Sequence, residues 1–306
     1  MRPTCWNVCA RCSALHEAGR VVRLQLGEHV IDCTNRAAIM GILNVSDDSP
    51  VAAAIVDASA ARDRGIELQR QGAEIIDVGA HSTAAGAREL SAQEEIERVC
   101  PVIEALSAAG IATSIDTWSA EVARAAAESG VNLLNDVTGF ADPAMAAVAV
   151  DHQLPAVVMH MRGDPKRNAE VDQHYDDIAT EVRAYLIDRA SALEATGSGQ
   201  VWLDPGFAFA KSAQDNVRLL DGLPALVATG YPVLVSASRK GFLGELLGRG
   251  DDQQAAGILE ATVAFNVLAA RHGAHVVRVH DVEVIADALK VEGAIRATLD
   301  GQPDRR

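Results

Sequence analysis

Eight short apolar runs in this chain each lead into polar groups able to bind or react. Asn44 closes the first run, and His81, Ser82 and Thr83 follow the second. Asp116 ends the third, and Asn135 with Asp136 the fourth. His160, Asp204, the 238–240 trio ending in Lys240, and Arg278 with His280 complete the series. Carboxylates, amides, hydroxyls, imidazoles and cations supply every kind of hydrogen-bond donor and acceptor. One polar strand end is ordinary, because loops must be polar. A whole series, rich in ionisable and amide groups, points to a functional face.

A second group lies at the N-terminus. Cys5-Trp-Asn-Val-Cys9-Ala-Arg-Cys12 has the C-x3-C-x2-C spacing of radical-SAM iron–sulfur sites. That motif normally follows the first barrel strand, whereas here it precedes it. With His16 the same cysteines make a four-ligand N/S set that suits zinc. The plainer reading, preferred here, is a loosely ordered tail with free thiols. Cys33 and Cys100 bring the cysteines to five. An odd number, clustered and without an export signal, implies a reducing, cytoplasmic location.

The elements that must position the polar series are legible as periodicity. Apolar strand candidates fall at 38–44, 74–79, 111–116, 131–136, 156–161, 200–204, 232–236 and 275–279. Helical stretches such as 119–129 and 257–272 lie between them. Strand–helix alternation predicts a parallel α/β fold, and the count favours a (β/α)8 TIM barrel over an open doubly wound sheet. In a parallel barrel the C-terminal strand ends form the catalytic mouth. A barrel needs about 250 residues, which 306 accommodate with short tails. The expected division is an N-terminal extension over 1–36, the barrel over 37–295 and a polar tail over 296–306. Within the extension, 21–26 and 29–33 flank Gly27 and read as a hairpin able to plug the barrel bottom.

Composition excludes other classes. The net charge of −15, from 27 basic and 42 acidic side chains, argues against nucleic-acid binding. A locally positive pocket for an anionic small substrate remains compatible with it. No run of about 18 apolar residues predicts a membrane span.

Eight segments then make the reading specific. They are Met40-Gly-Ile-Leu-Asn-Val45, Asp77-Val-Gly-Ala-His-Ser-Thr83, Ser114-Ile-Asp-Thr117 and Asn135-Asp-Val137, followed by Met159-His-Met161, Asp204-Pro-Gly-Phe207, Ser238-Arg-Lys-Gly241 and Arg278-Val-His-Asp281. Each sits at or beyond a strand end. The ordered set, from about residue 38 to about 290, resembles the dihydropteroate synthase family. The resemblance implies a pterin-binding barrel joining 6-hydroxymethyl-dihydropterin diphosphate to para-aminobenzoate, with pyrophosphate released. It implies that Asp116, Asn135, Asp204 and Lys240 read the pterin edge, with Met159 as an apolar wall. It places Asn44, Thr83, Arg278 and His280 at the diphosphate, with Asn44 also a ligand for Mg2+ brought by that diphosphate. Asp116, Lys240, Arg278 and His280 are the implied catalytic set. The family's early C–O cleavage needs no nucleophilic side chain. The family also implies a homodimer formed through barrel helices.

Three loops depart from the family pattern. Its Thr-Pro-Asp-Ser-Phe-Ser-Asp-Gly-Gly becomes Ser46-Asp-Asp-Ser-Pro-Val51, replacing the aromatic by Pro50. Its Ser-Thr-Arg-Pro-Gly becomes Ser82-Thr-Ala-Ala-Gly86, so Ala84 stands where a diphosphate-binding arginine is expected. Arg88, four residues on, is a candidate replacement. Gly-Phe-Gly-Phe-Gly-Lys becomes Gly206-Phe-Ala-Phe-Ala-Lys211. The pterin floor is therefore expected to be intact and the lids altered. Three readings follow: a synthase with unusual loops, a paralogue using the pocket for another nucleophile or substrate, and a non-catalytic pterin binder. A folate-dependent methyltransferase fits the last two motifs less well.

Overall fold

The computed structural model of the chain describes residues 22–45, 58–80 and 88–299. Eight strands form one parallel sheet: β3 (Ala38–Asn44), β4 (Ile75–Gly79), β5 (Thr113–Asp116), β6 (Leu133–Asp136), β7 (Ala156–Met159), β8 (Val201–Asp204), β9 (Leu234–Val235) and β10 (Val276–Val279). Neighbours pair in sequence order, and β10 pairs with both β3 and β9. A parallel bridge between Leu203 and Val233 joins β8 to the β9 edge, closing the barrel. The expected (β/α)8 fold is thus present. Each expected strand is found, most trimmed by one or two residues at an end where pairing stops.

Helices cover the barrel where the sequence can start them. Ser91, Ser119, Asp142, Asp177 and Ser212 cap α2 (Ala92–Ala108), α3 (Ala120–Glu128), α4 (Pro143–Asp151), α5 (Ile178–Glu194) and α6 (Ala213–Asp221). Each cap side chain accepts a bond from an amide that the first helical turn leaves unpaired. The others are α1 (Ala58–Gln71), α7 (Leu223–Val227), α8 (Gly241–Leu246), α9 (Ile258–Arg271) and α10 (Val282–Leu299). At Gly41 a Cβ would meet Val282 and Ala73 at 3.1 and 3.2 Å, so a side chain there would push these neighbours of β3 back by a few tenths of an ångström. The last helix runs past residue 296, the expected start of the tail. Arg296 pairs with Glu292 one turn back at 2.7 Å, a small contribution to its last turns.

The bottom of the barrel is plugged as expected. β1 (Arg23–Leu26) and β2 (His29–Asp32) form an antiparallel hairpin around Gly27, which has φ +60°. Leu24, Leu26, Ile31 and Cys33 pack on the first inward layer, which includes Met40, Ile75, Leu133, Trp202 and Val276. Gln200 ties the plug to β8, donating through Nε2 to the Arg23 carbonyl at 3.1 Å. Apolar filling at the bottom leaves the polar layers above it for the mouth.

Candidate active site

Strand periodicity sets the site. Side chains alternate in and out with a period of two. Above the apolar layer, Asp77, Ser114, Asn135, Met159, Asp204, Ser236 and Arg278 share the inward parity, and Asn44 and Asp116 sit one step higher. Arg278 crosses the lumen from β10. Its Nε donates to Asp77 Oδ2 and its Nη2 to Asp116 Oδ2, both at 2.6 Å. Asn135 Nδ2 also reaches Asp77 Oδ2, at 3.3 Å. Asp77 is fully buried, and two carboxylates on one guanidinium hold Arg278 further towards its charged form, outweighing burial.

The pterin candidates converge on this floor. Asp204, almost fully buried, accepts the Gly206 amide at 2.7 Å through Oδ1. A Cβ at Gly206, φ +68°, would lie 2.0 Å from the His160 carbonyl, so glycine is required there. Burial pushes Asp204 up to about 6, against the pull of Gly206, Lys211, Arg278 and Lys240. Burial also raises Asp116 to about 6, with Arg278 opposing it. Lys240 falls to about 8 through burial and the nearby Arg278 charge. Its Nζ sits 4.4 Å from the centre of the Phe209 ring. Met159 and Phe209 form an apolar wall with Val137, Trp118 and Met161.

At the end of β10, His280 bonds Ser238 Oγ through its amide, 3.2 Å, and Nδ1, 3.0 Å. Burial and the Arg278 charge lower its pKa to about 3, so it is neutral at pH 7. In the expected Arg278–His280 pair the charge therefore belongs to Arg278, while His280 offers a hydrogen bond. Asn44 lies at the β3 terminus, level with Gly79. Thr83, Pro50, Ala84 and the N-terminal cysteines lie outside the described residues. Asp136 is not at the site. It faces outward and accepts Thr138 and Phe140 amides, so it is a turn cap.

Residues 40–280 match the sequence profile of the family described as "Pterin binding enzyme". The chain belongs to the dihydropteroate synthase family of pterin-binding transferases. It is 44% identical to the dihydropteroate synthase of Mycobacterium leprae over 262 residues, covering 84% of this chain and 92% of that one. It is 38% identical to the Escherichia coli K12 enzyme over 275 residues, covering 88% and 94%. Among solved structures, the Yersinia pestis enzyme with a sulfonamide drug superposes with a TM-score of 0.83 at 35% identity, covering 90% and 100%. The Xanthomonas albilineans enzyme with 4-aminobenzoic acid gives 0.81 at 38%, covering 91% and 99%.

Several site residues escaped the sequence reading. Asp77 is one. A carboxylate inside an apolar strand demands a partner, and that signal was available. Lys211 is another. Its Nζ donates to the carbonyls of Gly206 (2.8 Å), Phe209 (3.0 Å) and His160 (3.3 Å) and lies 3.0 Å from His160 Nδ1. Burial pulls Lys211 down to about 7 and His160 to about 3. The cage locks the 206–211 loop that carries Phe209. Arg88, the candidate stand-in for Ala84, is paired to Glu94 at 2.8 Å, beside the α2 capping box. Both partners are largely exposed, so this pair holds Arg88 only weakly.

The family glycines replaced by alanine in this loop are strained. Ala208 and Ala210 have φ +75° and +50°, the left-handed region that costs an alanine more than a glycine. Ala208→Gly and Ala210→Gly are each expected to raise stability by about 0.5–1 kcal/mol, the relief exceeding the entropy gained by the unfolded chain. Urea unfolding of each variant tests this, and an unchanged or lower midpoint would contradict it.

Proposed function

We propose that the enzyme joins a 6-hydroxymethyl-7,8-dihydropterin diphosphate to para-aminobenzoate or a related arylamine. The C–O bond to the diphosphate breaks, the amine nitrogen forms the new C–N bond and loses one proton, and pyrophosphate leaves. The observation carrying this reading is the convergence of Asp116, Asn135, Asp204 and Lys240 beside Arg278 in one lumen. Structures of the Xanthomonas albilineans enzyme with 7,8-dihydropteroate and of the Thermus thermophilus enzyme with 6HMPPP support it from relatives. Asp204 would accept from the pterin amino and ring N–H groups, and Lys240 would donate to the ring carbonyl and nitrogen. Asp116 and Asn135 would complete the floor, and Met159 the wall. Arg278 and His280 would stabilise the leaving diphosphate, with Asn44 and Thr83 beside it. Among the described residues no three carboxylate, histidine or thiol side chains are grouped to hold a metal. The Asn44 amide oxygen suits Mg2+ as one hard ligand, the rest coming from diphosphate and water. The ion would neutralise charge on the leaving group.

The second reading, another amine or substrate, is favoured by Ala84 and Ala85. Ala84→Arg with Ala85→Pro is expected to raise turnover of para-aminobenzoate about 100-fold, since one charge-stabilising donor is typically worth at least that. Pyrophosphate release measures it. A wild type as fast as the double variant would show that this loop does not limit the reaction.

Pterin binding should depend on pH. The pterin N–H groups need Asp204 as a carboxylate, so affinity weakens as pH falls through about 6, and Asp204→Asn reduces that dependence to what Asp116, raised by burial to the same range, contributes. Stability moves the other way. The folded pKa lies above the ordinary 3.8, so this carboxyl's contribution is full below that value and is lost as pH rises through about 6. Calorimetry with 6-hydroxymethylpterin across this range tests the binding arm; a flat profile in the wild type sinks it.

A homodimer fits the surface. Val284, Val291, Ile295 and Leu299 form an exposed apolar stripe along α10, and Leu268 is exposed on the neighbouring α9. A cytoplasmic setting fits the unpaired Cys33 and Cys100. No helix among the described residues is long and apolar enough to cross a membrane.

A further inference from the structure

The two ends of the site sit on separate loops. Lys240 follows β9, while Arg278 and His280 end β10. The ladder between these strands is short: only Leu234 and Val235 pair with Val276 and Val277. Above that point side chains join the loops. Ser238 Oγ bonds His280, as described. Arg239 Nε and Nη2 donate to the two oxygens of Asp281 at 2.7 and 2.8 Å. Both partners are about a quarter exposed, at 25% and 22%.

Arg239 is also held in an unfavourable backbone state, with φ +53°. Its amide donates to Thr262 Oγ1 at 3.0 Å, and that hydroxyl donates to the Ile258 carbonyl at 2.7 Å. A non-glycine residue stays left-handed only where its surroundings over-determine it, and such residues gather at functional sites. Here the backbone is pinned from α9 and the side chain from the β10 loop. The result sends Arg239 towards Asp281 and the next side chain, Lys240, inward over Phe209. Asp281 takes two donors of the Arg239 guanidinium in a fork, which fixes the side chain's position across the two loops.

We propose that the Arg239–Asp281 pair is a positioning clamp. It fixes Lys240, at the pterin end, relative to Arg278 and His280, at the anion end, and so sets the preference for a pterin bearing a diphosphate over the free alcohol. The inference rests on the function proposed above. A pterin alcohol touches one end only and does not sense the spacing. A pterin diphosphate spans both ends and does.

The experiment measures calorimetric affinities for 6-hydroxymethyl-dihydropterin and its diphosphate, in the wild type, Arg239→Lys, Asp281→Asn and the reversed pair Arg239→Asp with Asp281→Arg. Lysine keeps the charge but loses the planar fork. The single variants are expected to lower the preference for the diphosphate about tenfold, with the alcohol's affinity within about twofold of wild type. The reversed pair is expected to recover most of that preference. Equal loss for both ligands indicates general loosening and overturns the clamp, as does an unchanged preference in Arg239→Lys. A wild type that binds both ligands equally defeats the functional reading itself, before any variant is considered.

Discussion

Replacing Arg278 by alanine is expected to cost the enzyme about 3–5 kcal/mol of stability and nearly all turnover. The stability loss follows from what remains. Asp77 is fully buried, and Asp116 partly so, and the variant leaves both without the guanidinium that each meets at 2.6 Å. Removing one partner of a buried ion pair strands an uncompensated charge, which costs more than the pair itself contributes. Turnover falls because the same cation is the charged member of the proposed diphosphate pair, His280 being neutral. Two controls separate the effects. Arg278→Met with Asp77→Asn removes the fully buried one of the two stranded charges and should recover part of the stability while remaining inactive. Arg278→Lys keeps a cation but loses the fork, and should retain a trace of activity. Thermal or urea unfolding within about 1 kcal/mol of wild type for Arg278→Ala would show that the floor does not depend on this bridge.

Asp204→Ala is expected to weaken pterin binding by about 2–4 kcal/mol, or roughly 30- to 1000-fold in Kd. A buried carboxylate bonding two donors on a flat ring is a charge-assisted pair with no water to compete. Alanine also strands the Gly206 amide, which Asp204 holds at 2.7 Å. Trp118 packs on the Met159–Phe209 wall, so its fluorescence is a convenient titration signal beside calorimetry. Asp204→Asn keeps the volume and isolates the charge. If Asp204→Ala binds 6-hydroxymethylpterin as tightly as wild type, the pterin floor is not where these residues place it.

Much of this architecture was legible in the chain because its causes are local. Val/Ile-rich runs alternating with Ala-rich helical stretches specify strands and helices by periodicity, and strand parity decides which residues face the lumen. The resemblance to the family named Asp116, Asn135, Met159, Asp204 and Lys240 as one set, strand parity accounts for the four that end strands, and the two apolar runs around Gly27 read as a hairpin plug. The through-space pairings were not readable. Arg278 meets Asp77 and Asp116 across 201 and 162 residues of sequence, and no periodicity encodes which carboxylates a guanidinium will find across a lumen. Nor does residue type reveal protonation. The sequence leaves the charge of His280 open, and burial beside Arg278 keeps it neutral. Arg239, in a motif read for its lysine, takes its proposed role from Asp281 in the loop after β10. The alanines at 208 and 210 were visible as departures, yet only the closed barrel shows that the loop still takes the glycine conformation. The sequence by itself determined which elements form and which faces they present; the tertiary structure decided partners and charge states, because Coulomb energy and desolvation depend on distance and burial in space, not on position along the chain.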